Sequence, residues 1–110
     1  MSGVIDPNTI ILTRPIQAHG RTLDELVLRE PTTEEIMEEG YPYLVVQGQG
    51  GLSGIQLQPK VVGRYIVRLA GMPMSSVKQL HPNDLQKAQA VVMGFFGQGD
   101  EEEDSEQSSS

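Results

Sequence analysis

The sequence changes character abruptly after Phe96, and this change limits what the chain can fold into. The C-terminal segment GQGDEEEDSEQSSS, which begins at Gly97, contains no apolar side chain. Such a segment cannot bury enough apolar surface to offset the entropy lost on ordering, so we expect residues 98–110 to be a disordered acidic tail. The folded part is predicted to be one small domain, residues 1–97, with a single modest core.

Charge is divided unevenly between these two parts. Six of the fifteen acidic residues lie between Asp100 and Glu106, which leaves nine acidic against eight basic residues in the body. A nearly neutral body argues against nucleic-acid binding, which usually requires a strongly cationic face. The chain has no cysteine, which excludes disulfides and thiolate metal sites.

The N-terminus gives no sign of export. MSGVIDPNTI lacks the basic and then apolar pattern of a signal peptide. No apolar run approaches the roughly 18 residues that a membrane-spanning helix needs. We therefore expect a protein of the cytoplasm that has no membrane partner.

The residues from Thr9 to Glu30 alternate in the manner of a β-hairpin. TIILTRPI places Ile10 and Leu12 on one face, and LDELVLRE places Leu26 and Leu28 on one face. The six residues QAHGRT between them supply the predicted turn, because glycine accepts positive φ.

Helix signals follow the hairpin. PTTEEIMEEG has capping-box spacing at Thr32 and Glu35, and Gly40 is the predicted end of this helix of about two turns. Pro59 opens a second helix. Its apolar face is predicted to consist of Val62, Tyr65, Ile66 and Leu69.

Two more helical segments complete an α+β fold. Ser75 or Ser76 is predicted to cap a short turn, SVKQL, and HPNDLQKAQAVVMGFF predicts the last helix. The predicted architecture is an N-terminal β-hairpin followed by three to four short helices.

The stretch YPYLVVQGQGGLSGIQLQ is the least informative part of the sequence. Four glycines between Gly48 and Gly54 indicate a flexible loop, and YLVV fits either a short strand or a helix. No Gly-Lys-Ser or Gly-Lys-Thr follows, which argues against a phosphate-binding loop. We interpret this loop as a linker.

No cluster of reactive side chains predicts an enzyme. His19 in the hairpin turn and His81 before the last helix share no motif, and we interpret them as turn and helix-cap residues. The glutamate pairs 34–35 and 38–39 are predicted to form a solvated face, whereas acid–base pairs usually need burial. We predict no catalytic residue, no metal site and no cofactor.

Lys60, Arg64 and Arg68 recur every fourth residue as a basic stripe on the second helix. The stripe is either an ordinary exposed face or a contact for an acidic partner or for the chain's own tail. Three charges are too few for strong nucleic-acid binding, where affinity grows with the number of neutralised phosphates.

The last helix has an apolar face that ends on the two phenylalanines of the chain. Its members include Leu85, Val92, Phe95 and Phe96. The face is either part of the core or, because the aromatic pair stands at the domain boundary with few other aromatics to pack on, a dock for a partner's helix.

Two blocks of this sequence resemble the tail assembly chaperones of contractile-tailed bacteriophages, the protein E group of Mu-like and related phages. IILTRPIQAHGRTLDELVLREPTTEEI is similar to the opening of that family: L-x-x-P-I, a glycine turn, L-x-x-L-x-L-R-x-P-T and an acidic helix start. LHPNDLQKAQAVVMGFFG is similar to its closing pattern, L-x-P-x-D-L and a helix that ends near Gly-Phe-Phe. VGRYIVRLAGMPMSSVKQL fits its middle helix.

The resemblance implies a binding role. Such chaperones bind the tape measure protein in the host cytoplasm and keep it soluble, as many copies along its length, until tail tube subunits replace them. We therefore expect the protein to be absent from the mature virion. The alternatives are a small structural or adaptor protein of a phage-like tail particle, and a regulator that engages a basic partner through its acidic tail.

The resemblance also implies a second, longer product made by a −1 ribosomal frameshift near the end of the gene. Phe95-Phe96-Gly97 is compatible with the codons TTT TTT GG, a run of six thymines on which a ribosome slips. On this hypothesis the acidic tail is one of two alternative endings.

Overall fold

A computed structural model describes residues 8–97, so the predicted disorder of residues 98–110 lies outside the described residues. The elements are β1 (Thr9–Ala18), β2 (Arg21–Val27), α1 (Thr33–Glu39), β3 (Tyr43–Gln47), β4 (Ser53–Leu57), α2 (Pro59–Ala70), α3 (Met74–Val77) and α4 (Pro82–Phe95). The predicted α+β class is confirmed, with β1–β2 and β3–β4 as two separate antiparallel hairpins. No helix within residues 8–97 is long and apolar enough to cross a membrane.

The N-terminal hairpin is confirmed, but its turn is tighter than the six residues predicted. Ala18 pairs with Arg21, so only His19 and Gly20 connect the strands. Both have positive φ, 55° and 75°, as the favoured two-residue hairpin turn requires. The ring of His19 is also tied to the body, since its Nε2 lies 3.0 Å from the Gly71 carbonyl oxygen.

β1 contains a bulge that the alternation pattern did not reveal. The register shifts between Ile11, which pairs with Glu25, and Ile16, which pairs with Leu23. Pro15 lies in this interval and has no N–H to donate. The bulge leaves the main-chain amides of Thr13 and Arg14 without a strand partner.

Asp84, in the first turn of α4, accepts hydrogen bonds from these two amides. The Thr13 N–H lies 2.9 Å from both carboxylate oxygens, and the Arg14 N–H lies 3.4 Å from Oδ2. Asp84 is fully buried, and Lys87 Nζ approaches Oδ1 at 3.4 Å. Burial alone would raise the pKa of the Asp84 carboxyl, but the hydrogen bonds outweigh it and lower the pKa.

The core lies between the first hairpin and the helices α2 and α4. All four residues of the predicted α2 face are buried, as expected. The larger residues of the core are Ile10, Leu12, Ile16, Leu26, Leu28, Val62, Tyr65, Ile66, Leu69 and Val92. Apolar contacts of the first hairpin with α2 and α4 therefore hold the domain together.

The capping box of α1 is confirmed. Thr32 Oγ1 accepts from the Glu35 N–H at 3.1 Å, and Glu35 Oε1 accepts from the Thr32 N–H at 3.0 Å. α1 ends at Gly40 as predicted, with φ of 82°. The Gly40 carbonyl accepts from the Tyr65 hydroxyl at 2.6 Å, which joins the end of α1 to α2.

Two local predictions are wrong. The glycine-rich linker is instead the turn of a second hairpin, in which Gln49–Gly51 form a single 3₁₀ turn and Gly54 pairs with Val46 within the sheet.

Neither Ser75 nor Ser76 caps α3, whose N-cap is Pro73. Ser76 is buried, and its hydroxyl donates to the Gln17 carbonyl at 2.6 Å, so β1 and not the helix terminus satisfies it.

Candidate functional site

An apolar groove of about 500 Å³ lies between α2, α3 and the start of α4. Its apolar lining comes from Met74, Val77, Leu80 and Leu85. These side chains meet there because α3 and α4 both pack against α2. A concave apolar surface of this size suits a few anchoring side chains of a bound segment.

Three basic residues, Lys60, Arg64 and Lys78, also line the groove. All three are exposed, so the groove combines an apolar lining with positive charge at the solvent boundary. The long aliphatic stems of lysine and arginine extend an apolar surface while their charged ends stay in water. The arrangement is suited to an amphipathic segment with acidic residues beside its apolar stripe.

Gly63 keeps one wall of the groove low. A β-carbon placed there would lie 3.7 Å from Met74 Cε and 3.8 Å from Met74 Sδ, which are ordinary contact distances. Alanine therefore fits at position 63, whereas a larger side chain would have to occupy groove space.

The basic stripe predicted from the sequence is divided between two environments. Lys60 and Arg64 line the groove. Arg68 instead faces α1, where its Nε lies 2.7 Å from Glu39 Oε2 and its NH2 lies 2.8 Å from Glu38 Oε1. Arg64 reaches the same helix through its Nε, 2.6 Å from Glu39 Oε1.

The interpretation of the glutamate pairs as a wholly solvated face is wrong for one member of each pair. The side chains of Glu35 and Glu39 are only 12% exposed, and both accept hydrogen bonds from arginines. The hydrogen bond from Arg29, 2.7 Å from Oε2, and the Thr32 N–H lower the pKa of Glu35 to about 2. Burial would raise the pKa of Glu39, but Arg64 and Arg68 outweigh it and lower the pKa.

The four residues of the predicted apolar docking face do not lie on one surface. Leu85 lines the groove with Lys60 and Arg64. Val92 has no exposed surface, and Phe95 is partly buried against the core. That this set binds a partner stays a prediction.

Phe96 has more aromatic neighbours than the sequence suggested. Its ring meets those of Tyr65, Tyr41 and Tyr43 edge-on, with centroids 5.5, 5.6 and 6.4 Å away. The expectation that the phenylalanine pair has few aromatics to pack on is therefore wrong for Phe96. Its contacts join the end of α4 to the root of the β3–β4 hairpin.

Lys78 and three apolar residues in and just after α3 were missed as site residues. Met74, Val77 and Leu80 recur every third residue, a helical spacing visible in the sequence. The spacing could have shown that this short segment has an apolar face. It could not show which helices would stand on either side.

The two histidines have local roles, as interpreted. His19 occupies the hairpin turn, and His81 Nδ1 accepts from the Asn83 N–H at 3.0 Å as the N-cap of α4. Within residues 8–97, no group of three histidine, aspartate or glutamate side chains is placed to hold a metal ion.

The fold and the groove define a small α+β domain with a surface suited to an apolar polypeptide segment. The family model described as phage tail assembly chaperone proteins, E, or 41 or 14, matches residues 9–97. The chain belongs to this family of phage tail assembly chaperones. Comparison with curated proteins and with solved structures gave no match.

Proposed function

We propose that this chaperone binds the tape measure protein of the phage and keeps it soluble until the tail tube polymerises. The observation that carries the proposal is the apolar groove with its basic boundary, in a member of a tail assembly chaperone family. The groove receives an amphipathic helical segment of the tape measure protein. Acidic residues beside the apolar stripe of that segment pair with Lys60 and Lys78, whereas Arg64 is already paired with Glu39.

The physics of the groove suits a temporary complex. Exposed apolar helix faces aggregate, and a domain that covers them prevents this. Ion pairs at a solvated boundary contribute little to affinity but help to select the partner. Because only a few apolar side chains are buried in one groove, each contact is weak, and tail tube subunits displace the chaperone.

The role needs no catalysis. Both histidines serve local structure, and Glu35 and Glu39 are held in ion pairs with arginines. These observations support a binding protein with no catalytic residue and no cofactor. It acts in the host cytoplasm and is absent from the finished virion.

The proposal is tested by co-expressing the full-length chain with the tape measure protein and measuring the soluble fraction of the latter. Gly63→Leu should fill the groove and reduce that fraction to its level without the chaperone. Gly63→Ala is the matched control and should leave solubilisation intact, since a β-carbon makes only ordinary contacts. Equal solubilisation by a folded Gly63→Leu variant would exclude the groove.

A second experiment separates the chaperone from a structural tail component. Mass spectrometry of purified virions should find no peptide of this chain. Stoichiometric recovery would instead support the alternative, a small structural or adaptor protein of the tail.

We also propose the two-product arrangement, with residues 1 to about 96 shared. In the described residues, α4 ends at Phe95 and the packed apolar residues end at Phe96, so both products would contain them. The nucleotides of codons 95 to 97 decide the matter. A slippery run with a long open −1 frame beyond it is the expected result, and an early stop in that frame would exclude it.

A further inference from the structure

Beyond its root, where Tyr43 contacts Phe96, the β3–β4 hairpin has few contacts with the other described elements. Within residues 8–97, each of its strands has the other as its only sheet neighbour, so no described strand pairs with the outer edge of either one. An open edge presents a row of main-chain donors and acceptors that another strand can use. An isolated two-stranded hairpin is at best marginally stable in water, so further pairing would stabilise this one.

The hairpin also exposes much of its apolar surface. Val45 is 64% exposed, and Leu44, Val46 and Ile55 are exposed as well. Because Val45 pairs with Ile55 while Leu44 and Val46 point to the opposite face, both faces of the hairpin are apolar. An uncovered apolar patch of this kind marks an interaction surface.

The hairpin lacks the features that usually prevent edge pairing. No charged residue occurs between Tyr41 and Gln58. By contrast, β1 has a bulge with Pro15, and β2 has Arg21, Asp24 and Glu25. Bulges, prolines and charges are the usual means of protecting an edge, and in the described residues they are found on the first hairpin only.

We propose that a second copy of this chain pairs with β3 along its outer edge, the edge opposite β4. The two β3 strands run antiparallel about a two-fold axis and form a four-stranded sheet in the order β4–β3–β3–β4. A helical partner can cover apolar faces, but its main-chain groups are already paired within the helix and cannot satisfy a strand edge. A second β3 strand can both cover apolar side chains and hydrogen-bond to the main-chain groups of the edge.

Self-pairing is favoured by the neutrality of this segment. In a two-fold arrangement each residue near the axis faces its own counterpart, so a charge there would meet a like charge. An antiparallel pairing centred on Val45 puts this residue at the axis and Leu44 opposite Val46. β3 is preferred to β4 because Leu-Val-Val favours strands more than the glycine and serine of β4 do.

The resulting contact is small and therefore reversible. A pairing of two five-residue strands falls below the roughly 1,000 Å² expected of a stable interface. Dimer formation does not require the tape measure protein, because the free chain associates with itself. Absence of the dimer would therefore not contradict binding of the tape measure protein in the groove.

Sedimentation equilibrium of the full-length chain, from about 10 µM to about 1 mM, tests the proposal. The wild type should show a monomer–dimer equilibrium within this range. Val45→Lys and Val45→Glu should each raise the dissociation constant about tenfold or more, because like charges then face each other across the axis. An equimolar mixture of the two variants should restore dimerisation.

Val27→Lys is the matched control, since Val27 is also an exposed strand valine, at 47%. It should dimerise like the wild type. Wild-type chain that stays monomeric at every concentration, or a folded Val45→Lys variant that dimerises normally, would overturn the proposal. An equal effect of Val27→Lys would also overturn it.

Val45→Cys covers the case in which the charged variants do not fold. The chain has no natural cysteine, and side chains directly opposite each other in antiparallel strands are close enough for cross-linking. Air oxidation should give a disulfide-linked dimer of Val45→Cys and little of Val27→Cys. Equal cross-linking of the two variants would contradict pairing at β3.

Discussion

Asp84 of α4 accepts hydrogen bonds from main-chain amides of β1, a strand that is distant in the sequence. Its carboxylate receives the Thr13 and Arg14 amides that the β1 bulge leaves unpaired. Hydrogen bonds to a buried charge are stronger than neutral ones, and an unpaired buried amide is costly. Without Asp84, the bulge would leave two amides with no acceptor.

Asp84→Asn should lower the free energy of unfolding by about 2 kcal/mol at pH 7. The asparagine retains one acceptor oxygen but turns an NH₂ group towards main-chain donors. Urea denaturation measures the change, and the exposed Asp24→Asn should alter it by less than about 0.5 kcal/mol. A loss at Asp84 no larger than that of the control would show that the bulge amides do not need the charge.

The lowered pKa of Glu35 should make the free energy of unfolding depend on pH. Its folded pKa is lowered from 4.5 to about 2, so the stability that it contributes is present above about pH 4.5 and is lost as pH falls towards 2. Arg29 is half-exposed, so solvent screening limits the ion pair to about 1 kcal/mol.

Glu35→Gln separates this ion pair from the capping box, because glutamine also serves at that helix position. The variant should be about 1 kcal/mol less stable than the wild type at pH 7, and the difference should disappear as pH falls through about 2. Denaturation across this pH range measures the difference, with the exposed Glu34→Gln as control. A gap that stays constant with pH would rule out the Glu35 carboxylate as its source.

At the scale of elements, Phe96 connects α4 to the root of the second hairpin. Phe96→Ala removes contacts with three tyrosine rings and should destabilise the protein by about 2 kcal/mol, less than for a fully buried phenylalanine. Hydrogen exchange should accelerate in β3 and β4 more than in β1 and β2. Phe95→Ala, which removes a ring packed on the core, should not single out β3 and β4 in this way.

The two hairpins differ in how well their sequences predict them. β1–β2 alternates because one face is buried, so the spacing of Ile10 and Leu12 is enough to indicate a strand. β3–β4 has no buried face, so Leu44, Val45 and Val46 show no alternation and the glycines suggest a linker. The bulge at Pro15 was not predictable either, because the residue that satisfies it lies in α4.

At the scale of the whole molecule, helix positions were predictable and the groove was not. Pro59 and Pro82 begin helices where expected, and Thr32 caps α1. These signals are local in sequence. The groove requires Lys60 of α2, Val77 of α3 and Leu85 of α4 to come together, and only tertiary packing determines this.

The hydrogen bond from the Thr13 N–H to the Asp84 carboxylate joins residues that are 71 positions apart in the sequence. Because a ribosome makes the N-terminal part first, β1 and β2 are synthesised long before the carboxylate that their bulge needs. Contacts between distant residues form late because a long loop must close first. We therefore expect the nascent chain to remain incompletely folded until α4 has emerged, so that the last helix made determines when the first hairpin reaches its final form.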